Sequence, residues 1–378
     1  MTMVRRLLLP VSVLLCGLVA SLTCRAAYLE EGEEAPAPAG EVRVLPPPRP
    51  TPLNPLTDLV RRLEIRPGHT YRGLTVFLLE APRVEDDTDY LSLDEALRRG
   101  ALTIREKGAG SVPLLLARND GGQPVLMLAG EIVAGGKQNR TLRDDILLPP
   151  RSGFTELPVY CVERGRWSGP GEDFGISSSM AARGVRAAVV GKQPQRELWA
   201  SVERYGRQLS AGSATGDLQA VQQAEHVQEQ VTAYREAFAE CWRPAALGMV
   251  VARHGQVLGA DIFCNPGVFR KHRRRLLESY AVDCIAAREH VDPRVPRQRI
   301  PSPREAERFL GRILRSRFTR RPSPGAGRLL DFSGPALHGT ALLRKDVVLH
   351  ACVLERGPVL ITPTPVPMPA PRQRRPTD

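Results

Sequence analysis

The most constraining feature of this sequence is an apolar run, Val125 to Ala134, that contains one acid, Glu131. Side chains of an extended strand alternate between its two faces. One face would carry Met127, Ala129, Glu131 and Val133, and the other Leu126, Leu128, Ile132 and Ala134. Because both faces are apolar, the run predicts a strand buried on both sides. Glu131 must then be paired with a cation, hydrogen-bonded or protonated.

A polar turn follows this run and suits a ligand. Gly135 and Gly136 permit a tight bend or a close approach of backbone to a ligand. Lys137 to Thr141 then provides five consecutive polar side chains, which suit an anionic or nucleotide-like ligand. A second predicted strand, Leu157 to Glu163, leads into Arg164 to Trp167. The predicted ligand-binding residues are Gly135, Gly136, Lys137, Gln138, Asn139, Arg140, Arg166 and Trp167.

Two roles remain open for the acids beside this turn. Glu131 or Glu163 could serve as a catalytic general base, because an apolar strand raises the pKa of a buried carboxyl group. Alternatively, a buried Glu paired with an Arg locks two strands together, and the hairpin is only a solvated connection. Cys161 would need a base such as His338 or His350 to act as a nucleophile, and a core cysteine is the favoured interpretation.

Several segments resemble a known family. The segment GEIVAGGKQNRTL, followed by DDILLPP and LPVYCVERGRW, resembles the ARG and Rhodanese-Phosphatase-superfamily-associated domain, a bacterial family without an established biochemical activity. GMVVARHGQVLGADIF and DVVLHACVLE are similar to later segments of that family, so the resemblance covers Leu56 to Glu355. The family name implies gene neighbourhoods with ADP-ribosylglycohydrolases and rhodanese-like phosphatases. The resemblance thus points towards nucleotide or ADP-ribose metabolism and identifies no catalytic residue.

The two ends of the chain differ in composition from its middle. Residues 1–26 combine an early Arg pair, an apolar run and small residues near Ala26, which is the layout of a secretory signal peptide. Residues 27–56 are a Pro-rich linker and residues 361–378 a disordered basic tail. The domain occupies residues 57–360, in a protein exported to the periplasm or another envelope space. An uncleaved or lipidated N-terminus is the one predicted route to a membrane.

Composition narrows the classes of partner. The net charge of +12 rests on Arg, with only five lysines, which indicates a GC-rich genome as much as an anionic partner. No specific nucleic acid is therefore predicted. The sequence has no HxH or HExxH motif, no CxxC pair and no Gly-rich dinucleotide fingerprint. We therefore predict no metal and no cofactor, and an anionic small molecule or polymer as the partner.

The pattern of elements predicts an α+β fold: a largely antiparallel sheet core with a helical hairpin and further packed helices. Asn119 to Gly122 is predicted to join Val112–Ala117 and Val125–Ala134 as a β-hairpin, and His254-Gly255 to join a second one. Apolar residues at helical spacing predict the helical hairpin over residues 195 to 242. The alternative is a two-domain α/β arrangement with parallel strands.

The resulting functional prediction is an exported module that binds a phosphorylated or ribosylated ligand, such as ADP-ribose, at the GGKQNR hairpin. One alternative is a hydrolase that acts on such a ligand with Glu131 or Glu163 as general base. The other is a non-catalytic structural envelope protein. Because the sequence contains no complete catalytic set, binding without chemistry is favoured.

Overall fold

The computed structural model describes residues 54–111, 113–167, 171–288 and 299–356. The predicted signal peptide, the predicted basic tail and most of the predicted linker lie outside the described residues. Two residues of that linker, Pro55 and Leu56, belong to the first helix, which begins after an N-cap at Asn54. None of the helices in the described ranges is long and apolar enough to cross a membrane.

The helices of the described residues are α1 (Pro55–Arg62), α2 (Leu93–Arg98), α3 (Arg183–Val190), α4 (Gln195–Gln208), α5 (Leu218–Gln223), α6 (Glu225–Ala237), α7 (Pro266–Arg288) and α8 (Pro303–Gly311). Short 3-10 turns span Ala239–Cys241 and Ile313–Arg315. α2 and α8 begin with the capping boxes that their sequences predict, at Ser92 and Ser302. Leu314, in the 3-10 turn after α8, is 38% exposed.

The largest sheet of the described residues has nine strands, and all of its pairings are antiparallel. Its strands are β1 (Glu64–Ile65), β2 (His69–Tyr71), β3 (Leu74–Glu80), β13 (Gly248–Arg253), β14 (Gln256–Phe263), β15 (Arg317–Pro322), β16 (Arg328–Gly334), β17 (Leu337–Arg344) and β18 (Val347–Glu355). The order is β1-β3-β13-β14-β18-β17-β16-β15, with β2 beside β3. His254 and Gly255 both have positive φ (47° and 84°) in the predicted β13–β14 turn, as a two-residue type I′ hairpin requires.

Two smaller sheets contain the remaining strands. One is ordered β10-β7-β4 and the other β12-β8-β9-β11-β6-β5. Their strands are β4 (Leu91–Ser92), β5 (Leu102–Ser111), β6 (Leu114–Asn119), β7 (Val125–Met127), β8 (Glu131–Gly135), β9 (Arg140–Leu142), β10 (Ile146–Leu148), β11 (Thr155–Cys161) and β12 (Phe174–Met180). Within the described residues, β4 with β7 is the one parallel pair.

The predicted strand Val125–Ala134 is buried, as expected, but it is two strands in two different sheets. β7 ends at Met127 and β8 begins at Glu131. Gly130 breaks the run with φ +93°, and a Cβ there would lie 2.8 Å from Cγ of Arg186. Met127 packs in the apolar cluster of the smaller sheets, whereas Ala129 packs in the cluster beneath the helices. The predicted shared face is therefore wrong across the break.

The predicted hairpin at Asn119 to Gly122 is also wrong. β6 pairs with β5 and β11, and β7 pairs with β10 and β4. The turn forms nevertheless, because Oδ1 of Asn119 accepts the N–H of Gly121 at 2.9 Å. The Asn119 amide also donates to the carbonyl of Pro149 at 2.9 Å. These bonds direct the chain from one sheet to the next rather than back along β6.

Apolar side chains cover both faces of the nine-stranded sheet. On β3, Leu74, Val76 and Leu78 pack towards the helices α3 to α7, whereas Phe77 and Leu79 pack towards α1 and α8. The helical segment predicted over residues 195 to 242 forms, with its seam buried, although it also contains the short helix α5. The fold is thus α+β with a mainly antiparallel core, as predicted, and the alternative with parallel strands in two domains does not describe it.

Candidate functional site

The glycines of the predicted ligand turn are explained by packing within the chain. β8 and β9 are joined by residues 136–139, and Gly135 and Gly136 have φ of +127° and +48°. A Cβ on Gly135 would lie 2.6 Å from the carbonyl oxygen of Asp173. A Cβ on Gly136 would lie 2.4 Å from the ring of Phe174. Both glycines therefore allow β12 to approach the hairpin closely, which is a structural reason for their presence.

The side-chain amides of Gln138 and Asn139 are buried and form hydrogen bonds with the turn and with neighbouring segments. Gln138 and Asn139 are 5% and 7% exposed. Asn139 Oδ1 accepts the N–H of Gly135 at 3.1 Å, and its amide nitrogen donates to Asp217 at 3.1 Å. Gln138 Nε2 donates to the carbonyl of Arg164 at 3.3 Å. These two side chains are occupied in holding the turn against its neighbours.

Arg140 is a guanidinium enclosed entirely by protein, with no exposed surface. Its Nη1 donates to the carbonyl and to the side-chain oxygen of Gln138, at 3.0 and 3.1 Å. Its Nε and Nη2 have no hydrogen-bond partner. Burial lowers the pKa of Arg140, with the nearby Cys161 and Glu106 acting in the opposite direction. The predicted ligand cation therefore lies beneath the surface of the hairpin.

Glu163 and Arg166 form a clamp that closes this turn. Glu163 Oε1 accepts Arg166 Nε at 2.8 Å and the hydroxyl of Thr215 at 2.9 Å, and Oε2 accepts the N–H of Asn139 at 3.0 Å. Arg166 also donates to the carbonyl of Gly136 at 2.9 Å. Burial by itself would raise the pKa of Glu163, but these donors outweigh it and lower the pKa. A carboxylate stabilised in this way is a weak general base.

Glu131 lies in the core, far from solvent, with no exposed surface. Its Oε1 lies 2.5 Å from Nη2 of Arg275 and 3.6 Å from Nδ1 of His272. Its Oε2 accepts the N–H of Leu128 at 2.8 Å. Burial would raise the pKa of Glu131, but the charge of Arg275 and the contact with His272 outweigh it and lower the pKa. The structure thus gives this acid the paired state that its apolar surroundings demand.

Lys137 and Trp167 form the outer surface of the hairpin. The ammonium of Lys137 lies 5.4 Å from the ring centroid of Trp167. Trp167 is 51% exposed. Of the predicted ligand residues, Trp167 is exposed and Lys137 and Arg166 are half-buried, whereas Gln138, Asn139 and Arg140 are buried.

Cys161 is a buried thiol without a histidine partner. It donates to Gln138 Oε1 at 3.2 Å and to the carbonyl of Glu163 at 3.0 Å. Burial raises its pKa. His338 bonds to the carbonyl of Ala187 and His350 to aspartates, so neither is engaged with this thiol. The geometry agrees with a core cysteine and gives no nucleophile–base pair.

The two acids that follow the turn connect it to the nine-stranded sheet. Asp144 is paired with Arg321 of β15. Asp145 accepts the Nδ1–H of His350 at 2.7 Å and the N–H of Ala129 at 2.8 Å. The central motif therefore holds one sheet to another through buried charge. Because Asp145 and His350 are each almost wholly buried, their pairing is needed to offset the cost of removing both from water.

Around His350 lies a buried ionic cluster that sequence reasoning missed. Asp261 Oδ1 lies 2.5 Å from Nη2 of Arg186 and 3.4 Å from Nε2 of His350, and Tyr280 donates to its Oδ2 at 3.0 Å. Burial would lower the pKa of His350, but Asp145 and Asp261 raise it to about 9. A usable indication existed, since Asp261 and His350 are isolated polar residues within the apolar runs VLGADIF and VVLHACVL.

A surface pocket of about 420 Å³ lies beside the hairpin, and sequence reasoning missed its lining too. Arg164, Arg196 and Trp199 contribute to it, together with Glu203 and Gly216. The guanidinium of Arg164 lies 5.3 Å from the ring centroid of Trp199. The indole N–H of Trp199 is buried and lies near the thiol of Cys161 rather than in the pocket. Trp199 directly follows Leu198 of the apolar seam of α4. The helical pattern therefore gave no indication that Trp199 lies at the surface.

Among the residues that the structure describes, no group of three His, Cys, Asp or Glu side chains is arranged to hold a metal ion. Cys161, Cys241, Cys264 and Cys352 are free thiols.

Comparison with known proteins supports the resemblance noted in the sequence. No curated protein and no solved structure gives a match to this chain. The family model of the ARG and Rhodanese-Phosphatase-superfamily-associated Protein domain, ARPP-1, matches residues 62–354. That span includes the central motif, the helical segment and nearly all of the nine-stranded sheet. The chain therefore belongs to the ARPP-1 domain family.

Proposed function

We propose that this chain is a binding module for an anionic ligand of the phosphorylated or ribosylated class, such as ADP-ribose. The ligand binds in the pocket beside the GGKQNR hairpin rather than within the turn. One observation carries the proposal: two guanidinium groups, of Arg164 and Arg196, and the indole of Trp199 line the same pocket. This combination suits a ligand with both a planar ring and phosphate groups.

The chemistry of the lining supports that ligand class. Guanidinium groups bind phosphate oxygens in a bidentate manner, and an aromatic face stacks on a planar base. A volume of about 420 Å³ is in the range of small-molecule sites. The one acid in the lining, Glu203, is already paired with Arg207. Arg196 contacts Glu197 at 3.4 Å, but this pair is exposed and therefore weak, so the pocket retains a positive balance for an anion.

The hairpin residues take part by positioning this pocket. Gln138 donates to the carbonyl of Arg164, and the N–H of Gly165 donates to the carbonyl of Thr215 at 2.6 Å. These bonds hold the backbone on both sides of the Arg164 side chain. In this proposal, Gln138, Asn139, Arg140 and Arg166 act through the shape of the turn, and Lys137 and Trp167 are not part of the pocket lining.

The hydrolase alternative receives less support. Both candidate bases are carboxylates with a lowered pKa, paired with Arg275 and Arg166 respectively. Glu131 is fully enclosed by protein, and both carboxylate oxygens of Glu163 already accept hydrogen bonds from the chain. The structural alternative is a non-catalytic envelope protein, which would bind no ligand. The burial of Gln138, Asn139 and Arg140 favours it.

Export to the periplasm or another envelope space also remains a proposal, and it depends on the sequence of residues 1–26. The intact mass of protein recovered from its native host tests it. Maturation near Ala26 supports export. Recovery of the full N-terminus in a cytosolic fraction contradicts it.

The ligand proposal is tested by calorimetric titration of the full chain with ADP-ribose, ADP and unphosphorylated adenosine. We expect ADP-ribose and ADP to bind, and Arg196→Ala and Trp199→Ala each to weaken binding about tenfold or more, because each removes a charge-assisted or stacking contact. Arg196 is exposed, so its substitution leaves the fold unaffected. Trp167→Ala is the matched control for loss of an indole and should bind normally.

Two outcomes contradict the proposal. If Lys137→Ala and Trp167→Ala abolish binding while Arg196→Ala and Trp199→Ala do not, the ligand lies on the outer surface of the turn. If the wild type binds none of the three compounds, the binding function is rejected and the structural alternative is preferred.

A further inference from the structure

The register of β15, β16 and β17 gathers polar residues onto one face of the nine-stranded sheet. Arg317 is opposite Ser333, and Ser333 is opposite His338. Two residues further along each strand, a second row joins Thr319, Asp331 and Thr340. Because side chains alternate along a strand, these two rows share a face. The strands β15 and β16 were not predicted from the sequence, so this grouping is visible only in the fold.

The opposite face of the same strands is apolar and packed. Phe318 and Phe332 are register partners, with ring centroids 5.7 Å apart. A Cβ on Gly339 would lie 2.2 Å from the ring of Phe332. At this edge of the sheet, the polar rows therefore lie on the face opposite to the Phe318–Phe332 pair.

The end of α3 forms a wall over these rows and creates a cleft of about 740 Å³. Lys192 lies just beyond the helix with φ +52°. The last helix carbonyls are already satisfied, because Ala187 accepts from the N–H of Gly191 and from Nε2 of His338 at 3.0 Å, and Val189 accepts from the N–H of Lys192. The negative end of the helix therefore presents few open acceptors that would repel an anion.

The charges of the cleft are strongly unbalanced. Its one carboxylate, Asp331, accepts bonds from Lys192, from Arg321 Nε at 2.7 Å and from the hydroxyl of Thr340 at 3.0 Å. Within the described part of the chain, neither Arg317 nor Arg356 is paired with a carboxylate. Arg356 Nη2 donates to the hydroxyl of Ser333 at 3.2 Å. Two uncompensated guanidinium groups thus approach the same serine, one through a hydrogen bond and one through strand register.

We propose that this cleft is a second ligand site, distinct from the pocket of Trp199, and that it binds the phosphate monoester of a small non-aromatic metabolite, such as a sugar phosphate. The phosphate lies beside Ser333, between Arg317 and Arg356, and Lys192 closes the opposite rim. Guanidinium groups and a hydroxyl are the donors that phosphate oxygens accept most readily. A nucleotide base is not expected, because Phe332 of the lining is only 3% exposed and the imidazole of His338 is held by the carbonyl of Ala187.

The test is calorimetric titration of the full chain with ribose 5-phosphate, and with ribose as the uncharged control, at a fixed physiological salt concentration. We expect ribose 5-phosphate to bind and ribose not to bind. Arg317→Ala and Arg356→Ala should each weaken binding about tenfold, because each removes a charge-assisted bond to phosphate. Both side chains are exposed, so the variants should fold.

Arg320→Ala is the matched control, since it removes the same charge from the same strand on the other face. It should bind as the wild type does, and so should Arg196→Ala of the first pocket. Equal weakening by Arg320→Ala would indicate general charge attraction and overturn the proposal. Loss of binding in Arg196→Ala, with normal binding in Arg317→Ala and Arg356→Ala, would assign ribose 5-phosphate to the first pocket, and the second site would be rejected while the first stands. A wild type that does not bind ribose 5-phosphate also rejects it.

Discussion

Replacement of Glu131 by Gln should destabilise the fold severely, because the variant leaves Arg275 buried without its main counter-charge. Arg275 lies 2.5 Å from Glu131, and its other acid, Asp94, is 3.4 Å away. The Glu131 and Arg275 side chains are 0% and 4% exposed. Breaking a buried pair from one side costs about 3–5 kcal/mol, a large share of the about 5–15 kcal/mol that stabilises a typical domain. Because Gln retains an acceptor for the N–H of Leu128, the loss of stability measures the effect of removing the negative charge.

Equilibrium urea unfolding, followed by circular dichroism, measures this loss as a shift of the midpoint at constant slope. Glu156→Gln is the control, because Glu156 pairs with Lys107 at the surface and is 53% exposed. An exposed pair contributes under about 1 kcal/mol. The lowered pKa of Glu131 stabilises the fold above the unfolded pKa of about 4.3, so the difference between wild type and variant should shrink in acid. If Glu131→Gln is as stable as Glu156→Gln at neutral pH, the pairing argument is refuted.

Two further predictions concern the same interior. His350 has a pKa raised to about 9 in the folded protein. Its contribution to stability is therefore complete below the unfolded pKa of about 6.5 and is lost as the pH rises through the folded pKa. The free energy of unfolding should fall by roughly 3 kcal/mol over this range. Unfolding experiments across this alkaline range should show the decline in the wild type and a flatter profile in His350→Asn, and equal profiles would contradict it. Gly130→Ala should lower the unfolding free energy by about 1 kcal/mol or more, because its φ is +93° and Arg186 occupies the space of a Cβ. Gly153→Ala is the control, because nothing lies within 4 Å of a Cβ at that position, and it should hardly change the unfolding free energy. Equal losses of stability in both variants would contradict the explanation from φ and Arg186.

Local patterns in the sequence predicted the elements that depend on near neighbours. The capping boxes at Ser92 and Ser302, the turn at His254-Gly255 and the apolar seams of α4 and α6 all form as expected. Each is determined by residues within one or two turns of chain, so spacing and residue type suffice. The α+β class follows from the same local information, because short connections favour antiparallel pairing.

These local patterns could not predict which sheet each strand joins. Val125–Ala134 is apolar apart from Glu131, and its pattern does not show the break at Gly130, where φ is +93° and the side chain of Arg186 occupies the space of a Cβ. The strands β15 and β16 escaped prediction because β15, RFTRRP, carries three arginines and a proline at the sheet edge, where few side chains are buried. Edge strands tolerate such residues, so their pattern resembles that of a loop.

For the site, the sequence by itself determined that Glu131 must have a partner and that the GGKQNR turn is polar and glycine-dependent. It could not name Arg275 as that partner, because the two residues are far apart in the chain and meet only when α7 packs against β8. Nor could it decide whether the polar turn faces solvent or protein. Tertiary packing decided that Gln138, Asn139 and Arg140 turn inward while Arg164, Arg196 and Trp199 line a surface pocket. A side chain is buried when other residues pack over it, and in this fold those residues come from distant parts of the chain.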